Sequence, residues 1–171
     1  MSGMKNRIMV AVLSLSATAL VGLALDESYT SAAVIPTRGD VPTLGFGSTT
    51  HADGRAVRMG DTTTPAKALA RTLQYIQADE ADMRKSLDGV ALHQAEYDIY
   101  IDWRYQYGAT AWLNSSMLRE LRGGNYPAAC QALLKYRFSA GYDCSTPGNR
   151  ICSGVWTRQL KRHAACMEAQ S

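Results

Sequence analysis

Several features are missing from this chain, and each absence removes a class of function. There is no long run of like charges and the formal net charge is only +3, which excludes a protein that wraps nucleic acid along a basic stripe. None of the four cysteines has CxxC spacing, and His51, His93 and His163 stand far apart without an HExxH, so neither a zinc site nor any cofactor is expected. No GxSxG occurs and no histidine has a nucleophile beside it, which argues against a Ser/His/Asp hydrolase. Internal repeats and low-complexity tracts are lacking as well, so a solenoid is not indicated.

What is present suits one folded domain. The chain has 171 residues, 46% of them hydrophobic, enough to bury a sizeable core. The mild positive balance fits an anionic polymer or surface. Cys130, Cys144, Cys152 and Cys166 all fall near the C-terminal end, and outside the cytoplasm an even set of four can pair in three ways. The turn-rich STPGNRI between Cys144 and Cys152 can fold back, which favours that pair together with Cys130–Cys166 between two helices.

The N-terminal segment carries Lys5 and Arg7 and then runs uncharged from Ile8 to Leu25, 18 residues. That length is at the lower edge of the roughly 17 to 25 that span a bilayer as a helix. The basic flank would stay cytoplasmic and send the rest of the chain across the membrane. Serine, threonine, alanine and glycine dilute the run, so three fates compete: a cleaved signal with small-residue sites near residues 17–19 or 22–24, a permanent anchor, or a span weak enough to leave the membrane again. A cut after Ala24 would leave Glu27 close to a frayed terminus. The third fate is therefore expected: residues 1–25 act as the membrane segment, and a domain of residues 15–171 reuses part of it as a buried first helix ending at Glu27.

From Glu27 to Thr50 no helical period appears. Pro36 and Pro42 interrupt helices, and Gly39, Gly45 and Gly47 permit tight turns, so an irregular hairpin around PTRGD is expected, with a third short strand at 55–59. Asp40 on this hairpin can also be read as a plain Asx-turn residue. Thr64 and Pro65 open a helix in which Leu69, Leu73 and Ile76 recur at helical spacing. A second buried helix begins near His93, with Ala95, Ile99, Trp103 and Tyr107 as its stripe. Short helices follow around 111–113, from Ser115 or Ser116 to Gly123, from Asn125 to Gly141, and from Ser153 to the end. His51 is expected as a solvated loop residue, His93 at a helix start and His163 on a helix surface.

A hairpin lobe beside a helical lobe creates a cleft by default. Hydrolysis of a glycosidic bond needs one protonated carboxylic acid and a second carboxylate opposite it. Glu27, just past ALVGLAL, suits the acid, because apolar surroundings disfavour the carboxylate. Asp40 on a polar hairpin would stay ionised, and the Thr43 hydroxyl could hold a water. The non-enzyme alternative is a membrane-tethered periplasmic interaction protein in which Glu27 only marks the end of an anchor.

The ordered blocks ESYTSAAVIPTRGDVPTLGFGST, LHQAEYDIY, WRYQYGATAW, SSMLRELRGGNYPAAC and SGVWTRQLKR resemble the phage-type lysozymes, and more narrowly their signal-arrest-release endolysins. The resemblance implies an α+β, lysozyme-like fold: a small irregular β-hairpin lobe, a larger all-helical lobe and an N-terminal weakly hydrophobic helix. It implies a cofactor-free monomer that hydrolyses the β-1,4 bond between N-acetylmuramic acid and N-acetylglucosamine in peptidoglycan, with inversion. The enzyme would be held at the periplasmic face of the host inner membrane through residues 8–25 and then released to the periplasm. Glu27 would be the general acid, and Asp40 with Thr43 would position the attacking water. The family pattern YxDxxGxxTIGYG corresponds here to VIPTRGDVPTLGFG, which aligns Thr43 but sets Pro36 or Thr37 where the family has its Asp; Asp40 needs a shifted register. Gln106 stands where the family often has Asn, and Arg158 lies in its basic segment, as a structural or electrostatic group. A lytic transglycosylase on the same substrate is the enzymatic alternative.

Overall fold

The apolar run at the start of the chain does not form one continuous helix. In the computed structural model, which describes residues 6–36 and 39–171, it is broken into a strand β1 (Ile8–Met9), a 3-10 turn (Val10–Val12) and a helix α1 (Ala17–Asp26). Ser16 caps α1 by accepting the Ala19 N–H at 3.1 Å. Among the described residues no helix is long and apolar enough to cross a membrane. Lys5, one of the two flanking cations, lies outside the described residues.

The chain divides into two units, Leu15–Asp82, and Met1–Ser14 with Met83–Ser171. In the first, α1 leads into a hairpin of β2 (Thr30–Val34) and β3 (Thr43–Gly45), antiparallel with Thr30 opposite Gly45 and Val34 opposite Thr43. Two extra residues on β2 make this ladder irregular. The tip residues Thr37 and Arg38 of the expected PTRGD turn lie outside the described residues. The third strand is not at 55–59: only Thr50 and Ala56 form a bridge there, and Asp61 to Thr63 run beside β2 instead, through Ala33 N–H to Asp61 O and Thr63 N–H to Ser31 O, both 2.9 Å. A small core of Ala33, Leu44 and Val57 closes the hairpin.

Helix α2 (Pro65–Ser86) follows, with the Thr64 hydroxyl accepting the Lys67 N–H at 3.4 Å. Its buried stripe is Ala68, Thr72, Ile76, Glu80 and Met83; of the expected positions Ile76 is buried, while Leu69 and Leu73 are exposed. The small Ala68 is used because the hairpin comes so near: a Cβ at Gly45 would stand 2.7 Å from the Ala68 Cβ, and Gly45 has φ +67. Glu80 is buried and its Oε1 accepts the Leu15 N–H at 2.7 Å.

The second unit is helical. It contains β4 (Ala91–Leu92), α3 (Gln94–Tyr107), α4 (Ala109–Leu113), α5 (Ser116–Arg122), α6 (Tyr126–Ala132), a hairpin of β5 (Phe138–Ser139) and β6 (Tyr142–Asp143), and α7 (Ser153–Glu168). Residues 8–9 pair with β4, and Val10 donates its N–H to Val90 O at 3.0 Å. The buried face of α3 is Glu96, Tyr97, Tyr100, Ile101, Trp103 and Arg104. This corrects the expected stripe, since Ala95 is exposed and Ile99 only half-buried. Trp103 and Trp112 are fully buried, and Trp103 stacks on Tyr107 at 4.6 Å and meets Tyr136 edge-on at 4.7 Å. The helix expected to reach Gly141 stops at Lys135, because Tyr136 turns onto Trp103 and the β5–β6 hairpin takes over, with positive φ at Ala140 and Gly141.

Two disulfides staple this unit, Cys130–Cys166 and Cys144–Cys152, the pairing expected. Glu96, fully buried, is compensated by Arg7 through two contacts of 3.1 Å, by Gln170 at 2.7 Å and by the His93 N–H at 2.8 Å. The mixed helix-and-hairpin architecture is α+β.

Candidate active site

Glu27 stands at the C-cap of α1, where the chain leaves the helix (φ −95, ψ 127) while its N–H still donates to Leu23 O at 3.1 Å. Its backbone is thereby fixed by the last helical turn. The helix behind it is not the buried apolar rod the sequence suggests. Leu23 is its one buried residue, and Val21 and Leu25 are 54% and 82% exposed. Glu27 itself is half-buried.

The Glu27 carboxylate faces glycine. Its Oε2 lies 3.9 Å from where a Cβ would stand at Gly47. Gly47 belongs to a tight tip in which Leu44 and Ser48 exchange both backbone hydrogen bonds, 2.9 and 3.0 Å, around Gly45, Phe46 and Gly47. Gly47 has φ +79, so a side chain there is strained and would also close the space in front of the acid. Tyr29 packs on Phe46 at 5.5 Å and donates its hydroxyl to Thr63 O at 3.1 Å, tying the tip to the segment before α2.

Thr43 lies at the far end of β3, half-buried opposite Val34, and its hydroxyl donates to Val34 O at 3.4 Å. Its oxygen lone pairs remain available as acceptors. Thr43 and Gly45 point to the same face of β3, about 7 Å apart along the strand. Asp40 sits in the connection before Thr43, after Gly39 with φ +94, and is exposed. Among the described residues its carboxylate has no hydrogen-bond partner, so an Asx turn with these residues does not hold it. The hairpin thus places Glu27 at the glycine tip and Thr43 at the opposite end of β3, with Asp40 beyond it.

His93 stands at the start of α3 as expected, but the other two histidines differ from expectation. His51 is not merely solvated: its Nε2 is 2.8 Å from Asp61 Oδ2, and Asp61 also accepts the Arg58 N–H at 2.9 Å. The Arg58 amide first, and His51 after it, hold the Asp61 carboxyl below the usual carboxylate range. His163 is half-buried, its Nε2 enclosed without a partner among the described residues. Gln106 is occupied structurally, its Oε1 accepting from Arg162 at 2.7 Å while Arg162 also donates to Asp102 at 2.6 Å. Gly47 was expected only as a turn glycine, and Asp61 was not singled out. The Gly-Phe-Gly spacing of the tip was a usable signal for the first, whereas the ten-residue separation of His51 and Asp61 gave none.

Relatives place this arrangement. The chain matches the phage lysozyme family over residues 26–162. It is 33% identical over 135 residues to the endolysin of Salmonella phage P22, an alignment covering 77% of this chain and 88% of that one. A crystal structure of a P22 lysozyme variant superimposes with a TM-score of 0.74 at 28% identity, covering 91% of this chain and 99% of the other. The endolysin of Escherichia coli O157:H7 phage FAHEc1 shares the fold, with a TM-score of 0.77 at 21% identity over 92% and 96% of the two chains. A hairpin with a glycine tip, an acid at a helix end and the TLGFG block fall within the matched span, and the chain belongs to the phage lysozyme family, a family of glycoside hydrolases.

Proposed function

We propose that this protein is an endolysin muramidase that cleaves the β-1,4 bond between N-acetylmuramic acid and N-acetylglucosamine in host peptidoglycan. Glu27 is the general acid, donating its proton to the leaving glycosidic oxygen. Asp40 and Thr43 hold the attacking water on the opposite face of the sugar, Asp40 as base and Thr43 as hydrogen-bond partner. The observation that carries this reading is Glu27 itself: a carboxyl group on a helix end fixed by its backbone, 3.9 Å from where a Cβ would stand at Gly47, in a family of glycoside hydrolases. An inverting site needs room for water between the two carboxyl groups, and a second carboxylate on the far side of β3 is compatible with that spacing.

The test is hydrolysis of purified peptidoglycan. Wild-type protein is expected to release reducing sugar ends, and Glu27→Gln to lose activity by a factor on the order of 10³, within the range of general acid catalysis. Substantial clearing of cell walls by a correctly folded Glu27→Gln protein would overturn the acid assignment. An anhydro product, lighter by one water, would identify a transglycosylase.

We further propose that the protein reaches its substrate as a monomer released from the inner membrane. The uncharged stretch 8–25 and the Arg7 before it support release, because the folded form buries Val10 and Leu13 and pairs Arg7 with Glu96, contacts that a membrane-embedded segment could not make. Membrane insertion and folding then compete for the same residues, and release permits folding. Fractionation with mass spectrometry is expected to find the uncleaved chain first in the membrane and later in the periplasm; a periplasmic form beginning at or beyond Leu25 would establish a cleaved signal instead.

A further inference from the structure

The net charge of +3 is not spread evenly along the chain. From Leu133 to Met167 six lysines and arginines meet a single acid, Asp143, so this stretch is basic while the remainder is slightly acidic. It contains the β5–β6 hairpin, which departs from the elements around it. The helical unit buries Trp103 and Trp112 completely, yet Phe138 and Tyr142 are 56% and 48% exposed, and Ile151, beside the Cys144–Cys152 disulfide, is 67% exposed. Phe138 stands opposite Asp143 and Ser139 opposite Tyr142, so the two rings point to opposite faces of the ribbon. Each face thus presents an exposed ring, and the turn residues Ala140 and Gly141 between them are exposed too.

This apolar tip is held in place rather than left loose. Ala140 and Gly141 have φ +49 and +83, the turn that matches the twist of a two-residue hairpin, and among the described residues Ala140 is the one non-glycine at positive φ. At the base, the Cys144 N–H donates to Arg137 O at 2.8 Å and Asn149 Nδ2 donates to Asp143 O at 3.0 Å. The Asp143 carboxylate is taken up by the Ser145 hydroxyl at 2.6 Å and by Arg137 Nε at 3.2 Å. Lys135 before the hairpin and Arg150 after its base are exposed, with no ion-pair partner among the described residues.

A glycan chain stacks on rings that line one groove, which rings on opposite faces of a ribbon cannot do. A lipid headgroup layer surrounds a tip from all sides and accepts both. Aromatic side chains settle at that level, and cations behind them meet lipid phosphates. The strands are two residues long and form no wider sheet, so their unpaired backbone groups keep the tip out of the hydrocarbon. We propose that the β5–β6 hairpin docks the folded protein on an anionic bilayer surface, with Phe138, Tyr142 and Ile151 in the headgroup layer and Lys135 and Arg150 against lipid phosphates. This contact uses none of residues 8–25 and does not depend on the muramidase reading.

The test is flotation of the full-length protein with vesicles of one part phosphatidylglycerol to three parts phosphatidylethanolamine. Binding is expected at low salt, weakened by added salt and strongly reduced on phosphatidylcholine alone. Phe138→Ser/Tyr142→Ser is expected to lower the partition constant by about tenfold, and Lys135→Gln/Arg150→Gln by about fivefold for each charge removed. Both variants alter exposed side chains, and an unchanged melting temperature checks that they are folded. Equal binding by wild type and the ring variant would assign membrane association to the N-terminal segment and overturn the proposal. No flotation of the wild type at low salt also overturns it. Weaker binding of the ring variant to lipid-free peptidoglycan sacculi, with no vesicle binding by either protein, would make the hairpin a wall-binding element instead.

Discussion

The two units of this chain are built on opposite terms. The helical unit buries Trp103, Trp112, Tyr97 and Tyr100 completely, compensates its buried Glu96 from three directions and carries both disulfides. The hairpin unit closes on Ala33, Leu44 and Val57, leaves Val21, Leu25 and Val41 in solvent, and turns on glycines at positive φ. Yet all three proposed catalytic groups belong to the second. Stability and chemistry are thus assigned to different parts of the sequence: one part gains rigidity from burial, and the other gains access by giving burial up.

The sharpest way to break that comparison is to mutate one residue on each side. Glu27→Gln is expected to abolish lysis while its melting temperature stays within a degree or two of wild type, since a half-exposed carboxyl loses only its charge. Trp112→Ala should do the reverse, costing about 3–5 kcal/mol of stability from the lost packing, and its indole N–H also leaves Ser86 Oγ, 2.8 Å away, without its donor. Comparable activity per folded molecule in Trp112→Ala at low temperature would confirm the division; a catalytic loss equal to that of Glu27→Gln would erase it.

Within the helical unit the two disulfides can be ranked by the loops they close. Cys130–Cys166 spans 36 residues and Cys144–Cys152 only 8. Chain entropy then gives about 4 kcal/mol for the first and about 2.5 for the second. Denaturant unfolding of Cys130→Ser/Cys166→Ser against Cys144→Ser/Cys152→Ser should show the larger loss in the first pair. Within the hairpin unit, Asp40→Asn is expected to lower activity about tenfold to a hundredfold, against no more than about twofold for Asp53→Asn, whose exposed carboxylate only pairs with Arg55 at 2.7 Å. Near-wild-type rates for both would reduce Asp40 to a turn residue and leave Glu27 and Thr43 as the site.

The sequence was most legible where a local rule has no competitor. Ser16, Thr64 and Ser115 cap helices, Pro65 opens α2, and the cysteines pair across the loop that can fold back. It was least legible where tertiary packing chooses between equally periodic faces. On α2 the hairpin approaches so closely at Gly45 that alanine, not leucine, must face it, so Ala68 and Thr72 are inside and Leu69 and Leu73 outside. On α3 a buried Glu96 made the inner face look polar until Arg7, 89 residues away in sequence, supplied the compensating charge. The site shows the same limit. Glu27 and Thr43 are anchored by the helix end and by the TLGFG block, but the two unmatched residues of β2 change the count between them, so no ungapped register carries the family's second acid onto Asp40.

The smallest expected effect concerns Asp61, and it asks whether the hairpin unit has any electrostatic anchor of its own. Its carboxylate accepts from the Arg58 amide and meets His51, and its pKa is held below the ordinary 3.8 by that amide first and by the histidine second. For a carboxyl group whose folded pKa is depressed, the unfolded chain takes up the proton first as the pH falls. The stabilisation is therefore complete above about pH 4, and it is lost as the pH drops through the lower folded value. Because Asp61 is open to solvent, the loss should be local. The Arg58 amide is expected to shift and to exchange faster with a midpoint below 3.8. In Asp61→Asn that titration should vanish while amides of the aromatic core around Trp103 remain unchanged. A midpoint at or above the ordinary value would mean that the contact contributes nothing to folding, and that the hairpin is held by Ala33, Leu44, Val57 and its strand pairing alone.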